Sequence, residues 1–372
     1  MINIGITGQN GFVGKHLYNT LGLNPEEFQR VDFENHFFEG KESLDNFVKN
    51  CDVIVHLAAV NRNPDPQEIY DQNINLVKDL VASLERTKSK AHVLFSSSSQ
   101  EGKDNLYGKS KKDGRELLAN WAKNNNGTFT GLVIPNVFGP FGKPNYNSFI
   151  ATFCYKLTHG EIPTIDNDGD VNLIYVGELV AEIIHQIKIG ETQEQYFVPS
   201  TTSTKVSEVL NKLENFKNLY FDNGEIPELK SSFDYQLFNT FRCYFDFEKH
   251  YPVQLVKNID ERGAFVEIIR LGIGGQASFS TTVPGITRGN HYHTRKIERF
   301  TVIKGKALIQ LRKIGTKEIF NFELNGDEPS YVDMPIWFTH NIKNIGEEEL
   351  LTHFWINEPF DAANPDTYFE VV

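Results

Sequence analysis

Cysteine is scarce, with Cys51, Cys154 and Cys243 scattered through 372 residues. No two stand at a metal-ligating spacing and there is no disulfide framework, which excludes a small disulfide-stapled secreted domain and suits a reducing compartment. Positive charge is also in deficit. Lys and Arg number 37 against 49 Asp and Glu, a net charge of −12. That balance argues against non-specific nucleic-acid binding and leaves room for a local basic pocket around a phosphorylated substrate. No apolar run reaches bilayer length, and MINIGITG enters an apolar strand at once, without a basic leader or cleavage site. The expectation is a cytoplasmic protein with no membrane span, no export and no nucleic-acid partner. What is present is the composition of a soluble globular protein, 40% hydrophobic and 23% charged, at a length that favours two domains.

Residues 2–7 read as a short buried strand. GQNGFVG follows directly, with Gly8, Gly11 and Gly14 each separated by two residues, and GFVGKHLYNTLG has helical periodicity. The reading is a strand, a tight turn and a helix whose N-terminal amides face a pyrophosphate. FQRVD reads as the next strand, ending at Asp32. A carboxylate there either accepts hydrogen bonds from an adenosine ribose and repels a 2′-phosphate, or is a solvated strand end. DVIVHLAA is a buried parallel strand running into a small-residue turn. In the NRNPDP loop after it, Arg62 either meets a cofactor phosphate or faces water. YDQNINLVKDLVASLER is an amphipathic helix and AHVLFSSSS another buried strand, so the alternation implies a doubly wound parallel sheet. The serine run ends a strand, where open α/β sheets place their ligands. Tyr107 and Lys111 follow, four apart on one helix face. A nearby ammonium lowers a phenol's pKa, so that the tyrosine can pass a proton at neutral pH, and a serine hydroxyl can hold the substrate's oxygen. GLVIPNVFGPFGKPNYNSFIATF reads as a strand and then a Pro/Gly-rich loop.

Near residue 245 the style changes, which divides the chain into domains 1–245 and 246–372. The second is rich in glycine and in short β-branched strands without intervening helices, the pattern of a small β-barrel or jelly roll able to enclose a ligand. Within it, GITRGNHYHTRKIERFTVIKG holds His291 and His293, which strand alternation sets on one face, and Glu298, which a short turn can bring back toward them. His340, in PIWFTHNIKN, is a fourth candidate. Imidazoles and a carboxylate converging in this way suit a divalent transition metal such as zinc. A lone H-x-H would favour chance clustering; the flanking glycines, the Glu and the distant His fit one pattern.

With TGQNGFVG, HLAA, the serine-ended strand, Tyr107 and Lys111 in place, the first two-thirds of the chain resembles the extended short-chain dehydrogenase/reductase family. The resemblance implies a Rossmann-like domain in which Tyr107 is the acid/base, Lys111 tunes it and Ser98 orients the carbonyl. The serine-to-tyrosine stretch is shorter than usual, so Ser97 and Ser99 stay open. The nicotinamide dinucleotide would meet Thr7, Gly8, Gly11, Phe12, Val13, Gly14, Asp32, Leu57, Ala58, Ala59 and Arg62, with Asn73 matching the family's central-helix asparagine. In members acting on nucleotide sugars the N-V-F-G-P segment borders the substrate, which singles out Asn136, Lys143 and Asn147.

The second part resembles the cupin superfamily. Its first motif is matched by Gly285, His291, His293, Glu298 and Gly305, and its second by Gly326, Pro335, His340 and Asn344. Trp337 stands where glycine is usual, and the Gly326-to-Pro335 spacer is long. Segments 260–267 and 288–291 also resemble dTDP-4-dehydrorhamnose 3,5-epimerase. That implies substrate contacts from Arg262, Phe265, Glu267 and Arg288, and a proton-abstracting role for His291, which is thus claimed both as ligand and as base. The order of the two parts, with landmarks LAAVNR, KPNYNS, IATFCY, PGITRGNH and PDTYF, resembles a family of bifunctional capsular polysaccharide synthesis enzymes over essentially the whole chain. The implied chemistry is C3 epimerisation of a UDP-linked 4-keto-6-deoxy-2-acetamido sugar by the cupin domain, then C4 reduction with NADPH. Asp32 by its charge points instead to NADH. The product would be UDP-2-acetamido-2,6-dideoxy-L-talose, a precursor of UDP-N-acetyl-L-fucosamine. Zn2+ or another divalent transition metal and a homodimer are implied too. The alternatives are a sugar epimerase or dehydratase that keeps its NAD and carries a regulatory cupin, and a non-catalytic sugar-nucleotide-binding regulator.

Overall fold

The computed structural model describes all 372 residues, in two compact units: residues 1–149 with 167–206, and residues 150–166 with 207–372. The chain runs β1 (Ile2–Thr7), α1 (Phe12–Leu21), β2 (Phe28–Val31), α2 (Lys41–Lys49), β3 (Val53–His56), α3 (Pro66–Thr87), β4 (His92–Ser98), α4 (Leu106–Asn125) and β5 (Thr128–Ile134). It continues through β6 (Asn136–Phe138), α5 (Phe149–Thr158), β7 (Asp170–Tyr175), α6 (Val176–Ile189), β8 (Gln193–Phe197) and β9 (Thr202–Lys205).

The first unit is a parallel sheet of order β2-β1-β3-β4-β5-β8, the doubly wound arrangement expected. Alternation along β1 sends Ile4 and Ile6 to one face, where they pack with Leu17 and Leu21 of α1 and Leu179 and Ile183 of α6. On the other face Ile54, Val93 and Phe95 meet Phe47 of α2, Leu80 and Leu84 of α3, and Leu118 and Trp121 of α4. Helix starts follow local chemistry. Asp65 accepts from the Gln67 amide with Pro66 behind it, and Asn105 accepts from Gly108, which sets where α4 begins. Strand order reverses between β1 and β3, the switch point at which open α/β sheets leave a ligand crevice.

The second unit adds α7 (Val206–Phe216), α8 (Ser232–Arg242) and α9 (Phe247–His250) before strands take over. These are β10 (Val253–Gln254), β11 (Lys257–Asp260), β12 (Gly263–Val266), β13 (Gln276–Thr282), β14 (Thr287–Tyr292), β15 (Glu298–Lys304) and β16 (Lys306–Lys313), then β17 (Ile319–Asn325), β18 (Ser330–Met334), β19 (Phe338–Asn344), β20 (Leu350–Ile356) and β21 (Tyr368–Phe369). They form two antiparallel five-stranded sheets, β10-β18-β15-β20-β13 and β17-β16-β19-β14-β21, with β11-β12 as a separate hairpin. Register fixes the interior. Glu298 lies opposite Met334 and Phe300 opposite Val332, while Leu311 lies opposite His340 and Ile309 opposite Ile342. The other face of β15 presents Arg299, buried in a two-pronged ion pair with Asp333 at 2.7 and 2.9 Å. Asp333 in turn accepts from Tyr220, and Arg242 of α8 donates to the Tyr220 hydroxyl, so the helices are tied to that sheet. No helix of the chain is long and apolar enough to cross a membrane.

Candidate functional site

In the first unit the site grows from the turn after β1. Gly8 has φ +76°, and a Cβ there would come 2.8 Å from the Ala58 amide nitrogen. A Cβ on Gly14 would meet the Gly8 carbonyl oxygen at 2.3 Å, so the turn packs backbone on backbone. Gly11 is the N-cap of α1, and Phe12 and Val13 open its first turn. Thr7, at the end of β1, shares a 2.7 Å hydrogen bond with His56 Nδ1 and accepts from the Ala58 amide at 3.3 Å. The ends of β1 and β3, with Leu57, Ala58 and Ala59, therefore close one crevice. Asp32 is exposed immediately after β2, within 3.5 Å of the Tyr18 hydroxyl. Asn73 is buried; its Oδ1 accepts from the Val60 amide and its Nδ2 donates to the Val60 carbonyl and to Ser110 of α4. It braces the loop after β3 against the helix that bears Tyr107.

Tyr107 and Lys111 lie one turn apart on α4, with the Lys111 ammonium 5.8 Å from the tyrosine ring centre and donating to the Ser96 carbonyl at 3.0 Å. Burial dominates both groups. It pushes the Tyr107 phenol up to about 12, with Tyr146 adding to the effect, and lowers Lys111 to about 8. Burial of the partly exposed Tyr107 and the neighbouring Tyr146 set the direction of the phenol's shift.

Among the serines, Ser97 donates to Glu101, which also holds Arg115 in a buried bidentate pair at 2.8 and 2.9 Å. Ser98 points to the opposite side of the strand and accepts from the Gln100 amide. The Glu101–Arg115 clamp has no local sequence signal, since its members are fourteen residues apart.

Around the site, Arg62 donates to the Asn145 carbonyl at 3.3 Å. The Tyr146 ring has the Lys143 ammonium 5.3 Å and the Arg62 guanidinium 6.0 Å from its centre. Asn136 opens β6 and donates to the Asn172 carbonyl, and Asn147 is exposed on the same loop as Lys143. Tyr146, between two cations and electrostatically coupled to Tyr107, was not singled out by motif reading.

In the second unit His291, His293, Glu298 and His340 come together, with one ligand atom from each within 4.8 Å of all the others. His293 Nε2 and His340 Nε2 lie 3.4 and 3.1 Å from Glu298 Oε2. Yet all three atoms are buried and lack an aligned hydrogen-bond partner. The far nitrogens explain the orientation: Nδ1 of His293 faces the Asp366 carbonyl and Nδ1 of His340 faces that of Phe338. Each ring then donates outward and turns a bare lone pair inward, the arrangement of imidazoles around a metal ion. Buried donors with no other partner fit a divalent transition metal. Burial and the neighbouring imidazole of His340 lower His291 to about 4; it is the one member of the four that is partly exposed.

Trp337 adopts φ +62°, the left-handed conformation that glycine usually supplies. Its ring stacks on Tyr292 at 5.8 Å and its amide donates to the His293 carbonyl, so packing holds the conformation without glycine. Arg262, Phe265 and Glu267 lie on or just after the β11-β12 hairpin. Arg262 pairs with Asp260, Glu267 with Arg270, and Phe265 is 69% exposed on the β11-β12 hairpin. Arg288 is exposed on β14, three residues before His291 and on the same side of the strand as the inward Ile342.

Comparison with known proteins agrees with both halves. Residues 4–198 match the NAD dependent epimerase/dehydratase family, and residues 258–368 match the polysaccharide biosynthesis C-terminal domain. The chain is 32% identical over 370 residues to the UDP-2-acetamido-2,6-beta-L-arabino-hexul-4-ose reductase of Pseudomonas aeruginosa, covering 98% of this chain and 97% of that one. Among solved structures, the capsular polysaccharide assembling protein CapF from Staphylococcus aureus aligns over 100% of both chains at 36% identity and TM-score 0.63. The spore coat polysaccharide biosynthesis protein SpsL of Bacillus subtilis is 28% identical over 123 residues, 30% of this chain and 82% of its own.

Proposed function

The chain belongs to the NAD dependent epimerase/dehydratase family, in the branch that carries a polysaccharide biosynthesis C-terminal domain, and from that premise we propose a bifunctional nucleotide-sugar enzyme of surface polysaccharide synthesis. Residues 246–372 invert C3 of a UDP-linked 4-keto-6-deoxy-2-acetamido sugar. The Tyr107 site then reduces C4, giving UDP-2-acetamido-2,6-dideoxy-L-talose. The observation that supports it most is the end-to-end match to a protein named as a reductase of a UDP-linked hexul-4-ose, in a chain that pairs Tyr107 and Lys111 with an unpartnered His/Glu cluster.

When bound, a reduced nicotinamide supplies hydride at the Tyr107 site and a divalent transition metal supplies positive charge at the barrel cluster. The chain's own groups do the rest. The first-unit crevice, with its backbone amides at α1, orients the dinucleotide. Tyr107, a phenol and so protonated at neutral pH, is a proton donor for the alkoxide that forms at C4, and Ser98 holds the ketone oxygen. Lys111 sits where it can stabilise the phenolate left behind.

At the barrel, a C4 ketone acidifies the C3–H, so a base removes that proton and return on the opposite face inverts the centre. His291, partly exposed and neutral at pH 7, is the member of the cluster a substrate can approach, as ligand or as base. His293, Glu298 and His340 serve as ligands, with zinc the ion they suit. Arg262, Phe265, Glu267 and Arg288 contribute substrate contacts, as do Asn136, Lys143 and Asn147 at the reductase site. NADPH is the reductant, with Asp32 the residue that would turn the preference to NADH; initial rates with the two coenzymes decide between them. We place the protein in the cytoplasm as a homodimer. NMR of the product in deuterated buffer, with and without NADPH, tests the whole reading. Deuterium should enter C3 without NADPH, and the talo sugar should accumulate with it. Turnover that consumes no reduced cofactor would point instead to an NAD-retaining epimerase.

A further inference from the structure

The six-residue stretch from His293 to Glu298 joins two ligand-bearing strands, and its conformation sets how far apart those ligands stand. It is not held by its own residues. Asp366, about seventy positions downstream, is buried with φ +44° and inserts its carboxylate into the turn. Its oxygens accept from the Thr294 amide at 3.1 and 3.3 Å, the Thr294 hydroxyl at 2.6 Å, the Arg295 amide at 3.0 Å and the Lys296 amide at 3.2 Å. The carbonyl of the same residue holds His293 Nδ1. Asn239 donates to the Arg295 carbonyl and Asn357 accepts from the Ile297 amide, but Asp366 alone binds both the 294–296 amides, through its carboxylate, and the His293 ring, through its carbonyl.

The segment around Asp366 is anchored with equal care. Lys296 donates to the Pro365 carbonyl at 2.7 Å. β21 pairs with the edge of β14, setting Phe369 opposite His291 and Tyr368 opposite Tyr292. Tyr368 stacks on Tyr292, which stacks on Trp337. Glu370 donates its amide to the Asn290 carbonyl and pairs with Arg312 at 2.7 Å.

We infer that Asp366 is a positioning residue of the metal centre, and that docking of segment 365–370 sets the affinity with which His291, His293, Glu298 and His340 take a divalent transition metal ion. The inference rests on the metal-centre reading above. Removing the carboxylate orphans three amides of a turn that is partly buried, and the turn must move to rehydrate them. The Asp366 carbonyl stays in the chain, but a turn that has moved no longer keeps His293 Nδ1 aligned on it, and a weakened outward hydrogen bond of this kind at metal sites costs about 10- to 100-fold in affinity. Linkage requires the reciprocal: an ion bound at the cluster tightens the segment by the same factor.

The test strips the full-length protein with a chelator and titrates it with Zn2+ or Co2+ alone against a chromophoric competitor, for the native chain, Asp366→Asn and Asp366→Ala. The native protein should take one ion. Asp366→Ala should bind about 10- to 100-fold more weakly with an altered Co2+ spectrum, and Asp366→Asn should fall between. Hydrogen exchange at the amides of 294–296 and 370 should slow on metal addition in the native protein and much less in Asp366→Ala. Unaltered dinucleotide binding and a cooperative melt identify folded variants; if the alanine variant fails that check, the asparagine variant decides. Native affinity and native exchange in a folded variant overturn the inference. A native protein that takes up no ion overturns the metal-centre reading, and this inference with it.

Discussion

Lys111 is a buried lysine whose ammonium donates to the Ser96 carbonyl, and whose pKa falls from 10.5 to about 8. Between those values the unfolded chain holds a proton that the folded chain has released, so stability rises with pH across that window. Comparing chemical denaturation of the native protein and Lys111→Met at pH 7.5 and pH 10 should show the native protein gaining on the variant at the higher pH, by up to about 3 kcal/mol. A constant difference would mean that Lys111 titrates outside the window. For Tyr107→Phe, removing the proposed proton donor should cut ketone reduction by about 100-fold or more while C3–H exchange into deuterated buffer continues. Loss of both would break the division of labour between the two sites.

At the level of elements, the turn between β1 and α1 is held by backbone contact. Gly14→Ala puts a methyl group 2.3 Å from the Gly8 carbonyl oxygen, and backbone cannot yield as a side chain can. Dinucleotide binding by fluorescence titration should weaken more than 10-fold, with about 1–3 kcal/mol of stability lost. This turn was legible in the sequence because its cause is local: glycines at fixed spacing between a buried strand and a periodic helix. So were β4 with its serines, the helix of Tyr107 and Lys111, and the return of Glu298 after a short turn. What could not be read depends on partners distant in the chain. Ser97 and Ser98 are adjacent and identical, and only the Glu101–Arg115 pair shows that Ser97 is already committed. Trp337 reads as a departure from glycine, and only its stack on Tyr292 explains how its left-handed backbone is held. PDTYF was visible as a landmark, but its purpose requires the turn at 294–296 to be seen beneath it.

For the molecule as a whole, the two chemistries proposed above would be ordered by the ketone itself. C3 is acidic only while C4 is oxidised, so reduction traps whatever configuration C3 then has. The sites can therefore be silenced separately, with opposite consequences. Removing metal with a chelator should slow C3–H exchange by about 100-fold, if charge beside the enolate oxygen contributes a few kcal/mol there. Reduction of a 4-keto sugar already inverted at C3 should continue, because Tyr107, Lys111 and the glycine turn belong to a unit with its own core. Monitoring NADPH absorbance and deuterium incorporation in one chelated sample separates these rates, and restoring Zn2+ should recover exchange alone. Exchange that persists in metal-free, folded protein would make the ion a structural staple of the barrel. Proton abstraction would then fall to His291 without help from bound charge, and His291→Ala would become the decisive variant.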